Sequence, residues 1–298
     1  MTDAEDSALL YVVIADFDGW GQTQICLQRL QESTFQQFRV IVVDHGTTDN
    51  TADGLVEFPF CIRVHADPSL WWAGATNVGI RKAIELGATQ IMLLNNDCFV
   101  GSSTIAELMA QVGKAERRVV APIQRAASTG EVLVARVATC FTFGFPTFVL
   151  PHMRQVSSAA PELMATKMIV GGRGAIIPVN VFEEVGLFDE EAFPHYGADH
   201  DFYMRCRAID VTLFVATRAA VAMDDTRTTV ARNLGAMSWR EFRDSLRNPR
   251  SHRNVATLVA LFKRHYPVRL LYFVGVSLNL ARYFASYLLA RVARIFRR

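Results

Sequence analysis

Acidic and amide side chains recur where apolar runs end in the first hundred residues. Asp16 and Asp18 follow YVVIA, Asp44 and Asp49 sit in VVDHGTTDNT, and Asn95, Asn96 and Asp97 close TQIMLL. Taken singly, each is an ordinary loop or helix-cap residue. Grouped, they would repel one another unless a cation or a donor-rich ligand lay among them. A hard divalent cation with phosphates suits such a group. Mg²⁺ takes oxygen ligands, keeps waters, and is usually held by one or two carboxylates together with substrate phosphates. On this reading Asp97 is the metal ligand. Asn95 or Asn96 then contacts sugar or phosphate oxygens without adding negative charge.

The elements that must position these residues alternate. Residues 11–19 read as a buried strand and the loop after it. Residues 21–33 have helical spacing, with Ile25, Leu27 and Leu30 on the inner face. A second strand opens the segment 38–51, a short third covers 61–67, a helix ending at Gly87 covers 75–88, and a fourth strand covers 89–97. Near-continuous apolar strand centres between helices predict a mainly parallel α/β sheet covered on both faces. In such sheets ligands bind beyond the C-terminal strand ends, where the acidic residues fall. Beyond residue 100 a helix is expected over 102–115, a β-rich stretch over 131–150, and a strand, helix, aromatic-acidic loop and second helix over 171–209.

With these segments on the page, the chain resembles the family-2 glycosyltransferases, inverting enzymes of the GT-A fold that use nucleotide-diphosphate sugars. The carriers are IADFDG (14–19), VVDHGTTDNT (42–51), WWAGATNVGIRKA (71–83), LLNND (93–97) and residues 171–207. The wording of WWAGATNVGI and FPHYGADHDF looks most like bacterial rhamnosyltransferase-type members. The resemblance implies that Asp16 or Asp18, with Asp44, lines the nucleotide pocket, while Asp49 either joins them or caps the next helix. It implies that Asp97 is the acidic metal ligand and that Gly74, Asn77 and Gly79 run under the donor. Trp71 and Trp72 either wall the sugar or base or pack in the core.

In HYGADHDF the resemblance makes Asp199 the catalytic base, with Asp201 as the alternative or as a helix brace; His195 and His200 lie beside them. Two positions depart from the family pattern. Ala198 stands where glutamate is frequent. No histidine follows the last sheet strand, so Asp224 or Asp225 is left as the second ligand to Mg²⁺ or Mn²⁺. Arg173 and Arg227 either contact the diphosphate or an anionic acceptor, or are surface arginines. The implied activity is single-displacement transfer of a sugar, first L-rhamnose from a dTDP donor, to a saccharide or lipid-linked glycan acceptor. A UDP-sugar donor is the alternative.

Net charge conceals an asymmetry. Of 298 residues, 31 are basic and 29 acidic; eleven of the basic ones and no acidic one follow Asp244. An acidic body (residues 1–235, donor half about 10–100, acceptor half 101–235) therefore carries a basic helical extension over 236–298. Residues 270–290 are apolar over a bilayer-spanning length, but Arg282 would fall near the bilayer centre. On an ideal helix Arg269, Arg291, Arg294 and Arg298 share one side. The expectation is a helix lying in the membrane interface at the inner face of the cell membrane. The alternative is packing on the catalytic body or on the second subunit of a homodimer. No nucleic-acid motif interleaves these arginines.

The five cysteines are widely spaced without a CxxC pair, which predicts reduced thiols in a cytosolic protein. The acidic N-terminus does not read as a secretory signal. Two other classes fit the sequence less well. A non-catalytic membrane scaffold has no use for the acidic sets. A nucleotidyltransferase wants a Gly-rich, basic loop after its first strand, which ADFDGWGQTQ lacks.

Overall fold

The computed structural model describes residues 9–47, 50–112, 117–157, 159–224 and 234–296. Four parallel strands form its first half: β1 (Leu10–Asp16), β2 (Phe38–Asp44), β3 (Cys61–His65) and β4 (Gln90–Leu94). The short β5 (Cys98–Val100) follows β4. The second half adds β6 (Arg118–Ala126), β7 (Val132–Val134), a separate hairpin of β8 (Ala138–Cys140) and β9 (Phe145–Phe148), then β10 (Leu163–Ala165), β11 (Arg173–Pro178) and β12 (Thr212–Met223). The main sheet runs β10-β12-β6-β11-β4-β1-β2-β3. β11 is antiparallel to both β4 and β6, and β12 is parallel to β6. The C-terminal ends of β1, β2, β4 and β12 thus share one edge with the start of β11.

Strand alternation divides the core into two layers. Tyr11, Val13, Ile41, Val43, Ile91 and Leu93 face one side, and Leu10, Val12, Ile14, Val40, Val42 and Met92 the other. The first layer is closed by α3 (Trp72–Glu85), α5 (Val179–Val185) and α6 (Ala198–Ala208). The second is closed by α1 (Trp20–Gln31) and α4 (Thr104–Val112); the single turn α2 (Thr51–Gly54) follows β2. Each fully buried aliphatic side chain here contributes about 1.5–3 kcal/mol.

α1 buries Thr23, Cys26, Leu27 and Leu30, an i, i+3, i+4, i+7 stripe. Ile25 was expected inside but is 44% exposed, because Cys26 occupies the inward position one residue on. α3 starts three residues earlier than expected, with Trp71 as its N-cap, and β4 stops at Leu94 so that Asn95–Asp97 form a loop.

The extension consists of α7 (Trp239–Ser245), opened by a Ser238–Glu241 capping box, α8 (Val255–His265) and α9 (Tyr272–Ile295). α8 inserts Leu258, Leu261 and Phe262 into the first core layer. α9 is held to the body on one side: Asn279 Nδ2 donates to the Gly144 carbonyl, and the Tyr287 ring stacks on Phe242 at 4.4 Å. Arg282 does not face outward; its guanidinium lies 3.9 Å over the Phe145 ring. The other side exposes Leu270, Phe273, Leu289 and Phe296 beside the exposed Arg269, Arg291 and Arg294. The helix from Arg269 to Arg294 is long and apolar enough to cross a membrane by length and composition. The five cysteines are free thiols.

Candidate active site

The end of β1 is tied to its surroundings by one carboxylate. Asp16 is fully buried and accepts hydrogen bonds from Thr23 Oγ1 (2.7 Å), Thr51 Oγ1 (2.8 Å) and Asn96 Nδ2 (2.7 Å). It therefore joins α1, α2 and the β4 loop at the strand end where the nucleotide pocket was expected. Asn96 is committed to the same knot, donating also to Thr23. Gly19 is dictated by this crowding: a Cβ there would stand 2.5 Å from Asn96 Nδ2 and 2.7 Å from Asp16 Oδ1.

Asp18 is the exposed member of the pair. It adopts φ 51°, a conformation that Asp tolerates better than most residues, and its Oδ1 accepts from the Thr47 backbone N–H at 2.7 Å. Asp44 was expected in the nucleotide pocket, but it is 5% exposed, and its Oδ2 receives both Arg63 Nε (2.9 Å) and Nη2 (2.7 Å). That ion pair fastens β2 to β3. Asp49 lies outside the described residues, as do Asp225 and Arg227.

A cleft of about 520 Å³ opens over these strand ends, lined among others by Phe17, Asp18, His45, Trp71, Trp72 and Asn96. His45 stacks against Phe17 with centroids 5.2 Å apart. Burial lowers its pKa below the ordinary imidazole value, which favours the uncharged ring. The Trp72 indole N–H donates to Asn95 Oδ1 at 3.0 Å, which fixes the ring as a wall. Asn95 thus braces Trp72 through its side-chain oxygen. Asn77 is likewise structural. Buried in α3, it donates to the Phe188 carbonyl and to Glu190 Oε2, and accepts from the Phe188 N–H. Gly74 packs beneath Leu70, where a Cβ would meet Leu70 Cδ2 at 2.9 Å. Gly74 and Asn77 thus fasten α3 to Leu70 and to the Phe188–Glu190 loop.

The next carboxylates converge at the same edge. The Asp224 N–H donates to the Asp97 carbonyl at 2.9 Å, continuing the β12–β5 ladder in which Met223 faces Cys98. Asp97 and Asp224 thus leave the sheet side by side from two strands. Among the described residues no set of three His, Cys, Asp or Glu side chains gathers as a metal cage. Two carboxylate-bearing residues adjacent at this edge nevertheless fit a cation that takes its other ligands from phosphate and water. Arg173 stands in register opposite Leu94, so it starts β11 at this edge, and its Nη1 donates to Gln124 Oε1 at 2.8 Å.

The two candidate bases occupy different environments. Gly197 takes φ +89° at the N-cap of α6, which puts Asp199 and Asp201 in the first helical turn. Asp199 Oδ2 accepts from the Gly171 N–H at 2.7 Å, and its Oδ1 lies 2.9 Å from His200 Nδ1. Burial would raise its pKa, but the His200 charge and these hydrogen bonds hold it at about 2. The His200 pKa is opposed by burial yet raised by Asp199, so the two form an ion pair. Asp201 is fully buried. It is bound by Arg205 Nε (2.8 Å), Arg264 Nη1 (2.9 Å) and His265 Nε2 (2.8 Å). Burial opposes its ionisation, and the bonds from His265 and Arg205 bring it down to about 2. Enclosed by these three groups, Asp201 clamps α6 to α8.

Two residues of this cleft, His45 and Arg250, and the neighbouring Tyr196 carried no signal in the sequence. His45 was hidden within a motif noted for its aspartates. Tyr196 lies where charges meet: burial raises its pKa, with Arg173, Asp199 and Asp97 all acting on it. Arg250, from the extension, lies 5.3 Å over the Trp71 ring and lines the cleft, and no motif signalled it. With burial, its charge also lowers the pKa of His195, another lining residue.

Comparison with known proteins gives the family and the fold. The family model described as glycosyl transferase family 2 matches residues 11–171. Uncharacterized proteins of Mycobacterium tuberculosis and Mycobacterium bovis are 26% identical over 156 residues. The chain spans about half the length of these curated relatives, 53%, and the match covers 51% of the chain itself. Among solved structures, GalNAc-T7 with UDP, GalNAc and Mn²⁺ superimposes with a TM-score of 0.60 at 14% identity, over 91% of this chain and 55% of that one. The mannosyltransferase PcManGT of Pyrobaculum calidifontis, in complex with GDP-Man and Mn²⁺, gives 0.58 at 14% identity, over 95% and 75%. S. aureus TarS 1–349 with UDP-GlcNAc gives 0.55 at 14% identity, over 93% and 72%. These likenesses share the GT-A fold.

Proposed function

Because the chain belongs to glycosyl transferase family 2, we propose that it transfers a sugar from a nucleotide-diphosphate donor to a saccharide or lipid-linked acceptor with inversion. The observation that carries this reading is the common edge: an aromatic cleft, the Asp97–Asp224 pair and the Asp199 carboxylate all border the C-terminal strand ends. The nucleoside would lie in the cleft between Phe17, His45 and Trp71. Asp97 and Asp224 would hold a divalent cation, which when bound supplies Lewis-acid charge at the departing diphosphate. Arg173 and Arg250 would add positive charge on the same side.

In the transfer, the acceptor oxygen forms a bond to the anomeric carbon as the bond to the diphosphate breaks. The acceptor proton passes to Asp199. Its low pKa keeps it ionised at physiological pH, so the accepting state is always populated. The Gly171 N–H and His200 fix the orientation of the carboxylate. General-base assistance of this kind is worth about 10²–10⁴-fold. A dTDP donor carrying rhamnose is the first candidate, by resemblance of WWAGATNVGI and FPHYGADHDF; a UDP-sugar is the alternative.

The exposed apolar side of α9, bordered by Arg269, Arg291 and Arg294, suits the interface of an anionic bilayer, which supports a peripheral position at the inner face of the cell membrane. The test of donor use is calorimetric titration of dTDP and UDP in the presence of Mn²⁺. Binding of one in preference to the other identifies the base, and binding of neither refutes the donor site.

A further inference from the structure

The outward side of α9 is flanked by aromatic side chains from elsewhere in the chain. On a regular helix Phe273, Phe284, Leu288, Val292, Leu278 and Leu289 fall within a stripe roughly 160° wide, and all six are exposed. Val276, Asn279 and Tyr287, on the opposite side, are buried against the body. At one rim of the stripe the turn between β8 and β9 presses on the helix. A Cβ at Gly144 would stand 2.7 Å from the Asn279 backbone N and 3.0 Å from Leu278 Cβ. Phe143, the residue before it, is 67% exposed. At the other rim Trp239 of α7 meets the Phe284 ring edge-on at 5.9 Å and is itself 55% exposed. Three segments far apart in sequence thus show apolar surface together.

Charge borders the Trp239 rim. Arg291 and Arg294 reach the carbonyls of Met237 and Gly235, just ahead of Trp239, and stay exposed. Arg269 and Arg240 are exposed as well. The two carboxylates of α7 are engaged, Glu241 by the Ser238 N–H and Asp244 by Arg243, and no acidic residue follows Asp244. An apolar stripe with a cationic rim matches anionic headgroups above hydrocarbon. It does not match a second copy of itself. Antiparallel pairing of two stripes would set Arg269 of one helix beside Arg291 and Arg294 of the other, and parallel pairing would set like beside like, with no carboxylate to offset either. Nor does it match a helix that crosses the bilayer. Crossing would strip Asn279 from the Gly144 carbonyl and Tyr287 from the Met237 carbonyl, and would carry Asn279 and Arg282 into hydrocarbon.

We propose that Phe143, the outward stripe of α9 and Trp239 form one platform that seats the protein on an anionic bilayer with α9 still docked and lying in the headgroup plane. This rests on the peripheral position argued above and adds that the body, not α9 alone, meets the lipid. A lone helix fixes only a line on the bilayer, about which the body could roll. An anchor on each side of that line fixes a plane, and so holds the body at one attitude.

The test is sedimentation of the full chain with vesicles of phosphatidylcholine, with and without phosphatidylglycerol. Wild type, Phe143→Ser, Trp239→Ser and Leu289→Ser are compared, with melting temperatures measured alongside. Wild type should bind the anionic vesicles and be released by salt. Phe143→Ser and Trp239→Ser should each weaken binding by roughly tenfold, the effect of withdrawing one aromatic side chain from partial burial. Tryptophan emission should shift to the blue on binding and be quenched by brominated lipid, and Trp239→Phe should lack that component.

A folded Phe143→Ser that binds like wild type while Leu289→Ser is weakened overturns the platform and leaves α9 as the whole contact, with the peripheral position intact. Because Phe143 is exposed, this variant serves if Trp239→Ser does not fold. Wild type that binds neither vesicle overturns the platform and the peripheral position together. A dimer in sedimentation equilibrium that Phe143→Ser dissociates assigns the surface to a second copy, and resistance to alkaline carbonate extraction assigns α9 to a spanning helix; either overturns the proposal. UDP and dTDP titrations of the same variants read the donor cleft independently, so the transferase reading stands or falls on its own.

Discussion

Asp201→Asn separates structure from chemistry in HYGADHDF. Wild-type Asp201 is fully buried and binds Arg205, Arg264 and His265 within 2.9 Å. Removing one member of a buried charge network costs about 3–5 kcal/mol. Two partners retain other contacts. Arg264 keeps Asp189 at 2.6 Å, and Arg205 keeps the carbonyls of Val185 and Leu187. The lower end, about 3 kcal/mol, is therefore expected. At about 2 °C per kcal/mol for a chain of this size, the melting temperature falls by about 6 °C. The folded pKa of about 2 lies below the ordinary 3.8, so this stability is present above pH ~4 and is lost as pH falls towards 2. The gap between variant and wild type should narrow over that interval. Circular-dichroism melts from pH 2 to 8, with turnover measured at a temperature where both are folded, read all of this. An unchanged melting temperature with turnover reduced a hundredfold or more would make Asp201 the proton acceptor and refute the clamp.

Asp199→Asn should leave nucleotide affinity within about twofold while single-turnover transfer falls by about 10²–10⁴; retained turnover removes Asp199 from the base role. Asp97→Asn and Asp224→Asn should each make nucleotide binding require more Mn²⁺, seen as a rightward shift of the metal titration in calorimetry, and wild-type binding should weaken in EDTA. His200 has a folded pKa raised above 6.5, so its pairing with Asp199 stabilises fully below about pH 6.5 and fades as pH rises through the raised value. Urea midpoints of His200→Gln should lack that alkaline decline, and parallel profiles from pH 6 to 9 would exclude the ion pair. Arg250→Gln should weaken donor-nucleotide binding by roughly tenfold, the worth of one charge-assisted contact; an unchanged affinity places Arg250 outside the donor's reach.

The alternation of apolar strands and helices made the sheet legible, because strands buried on both faces carry a continuous apolar signature. The placement of Asp18 and Asp97 at strand ends followed from that order, whereas Asp199 and Asp224 were named only through the family resemblance. What the sequence concealed was the direction in which each side chain is used. Asp16, Asp44, Asn77, Asn95 and Asn96 all fall in the right segments, yet their polar atoms are taken up by Thr51, Arg63, Phe188, Trp72 and Asp16 respectively. A one-dimensional motif carries residue type and place, whereas the hydrogen-bond partner is set by which loop folds over it. In the sequence Arg250 and Arg253 are only part of the basic excess after Asp244, and Arg282 only an interruption of an apolar run, since nothing local distinguishes an arginine stacked on an aromatic ring from one in water.

Arg264 and His265 grip the helix that bears Asp199, while Arg250 from the same extension overhangs the donor cleft. Competence for transfer and docking of the tail are therefore a single equilibrium. Any event that pulls the last helices off the body, whether proteolysis, detergent or an altered bilayer, would act as an off-switch, and binding of donor would in turn tighten the hold on the tail.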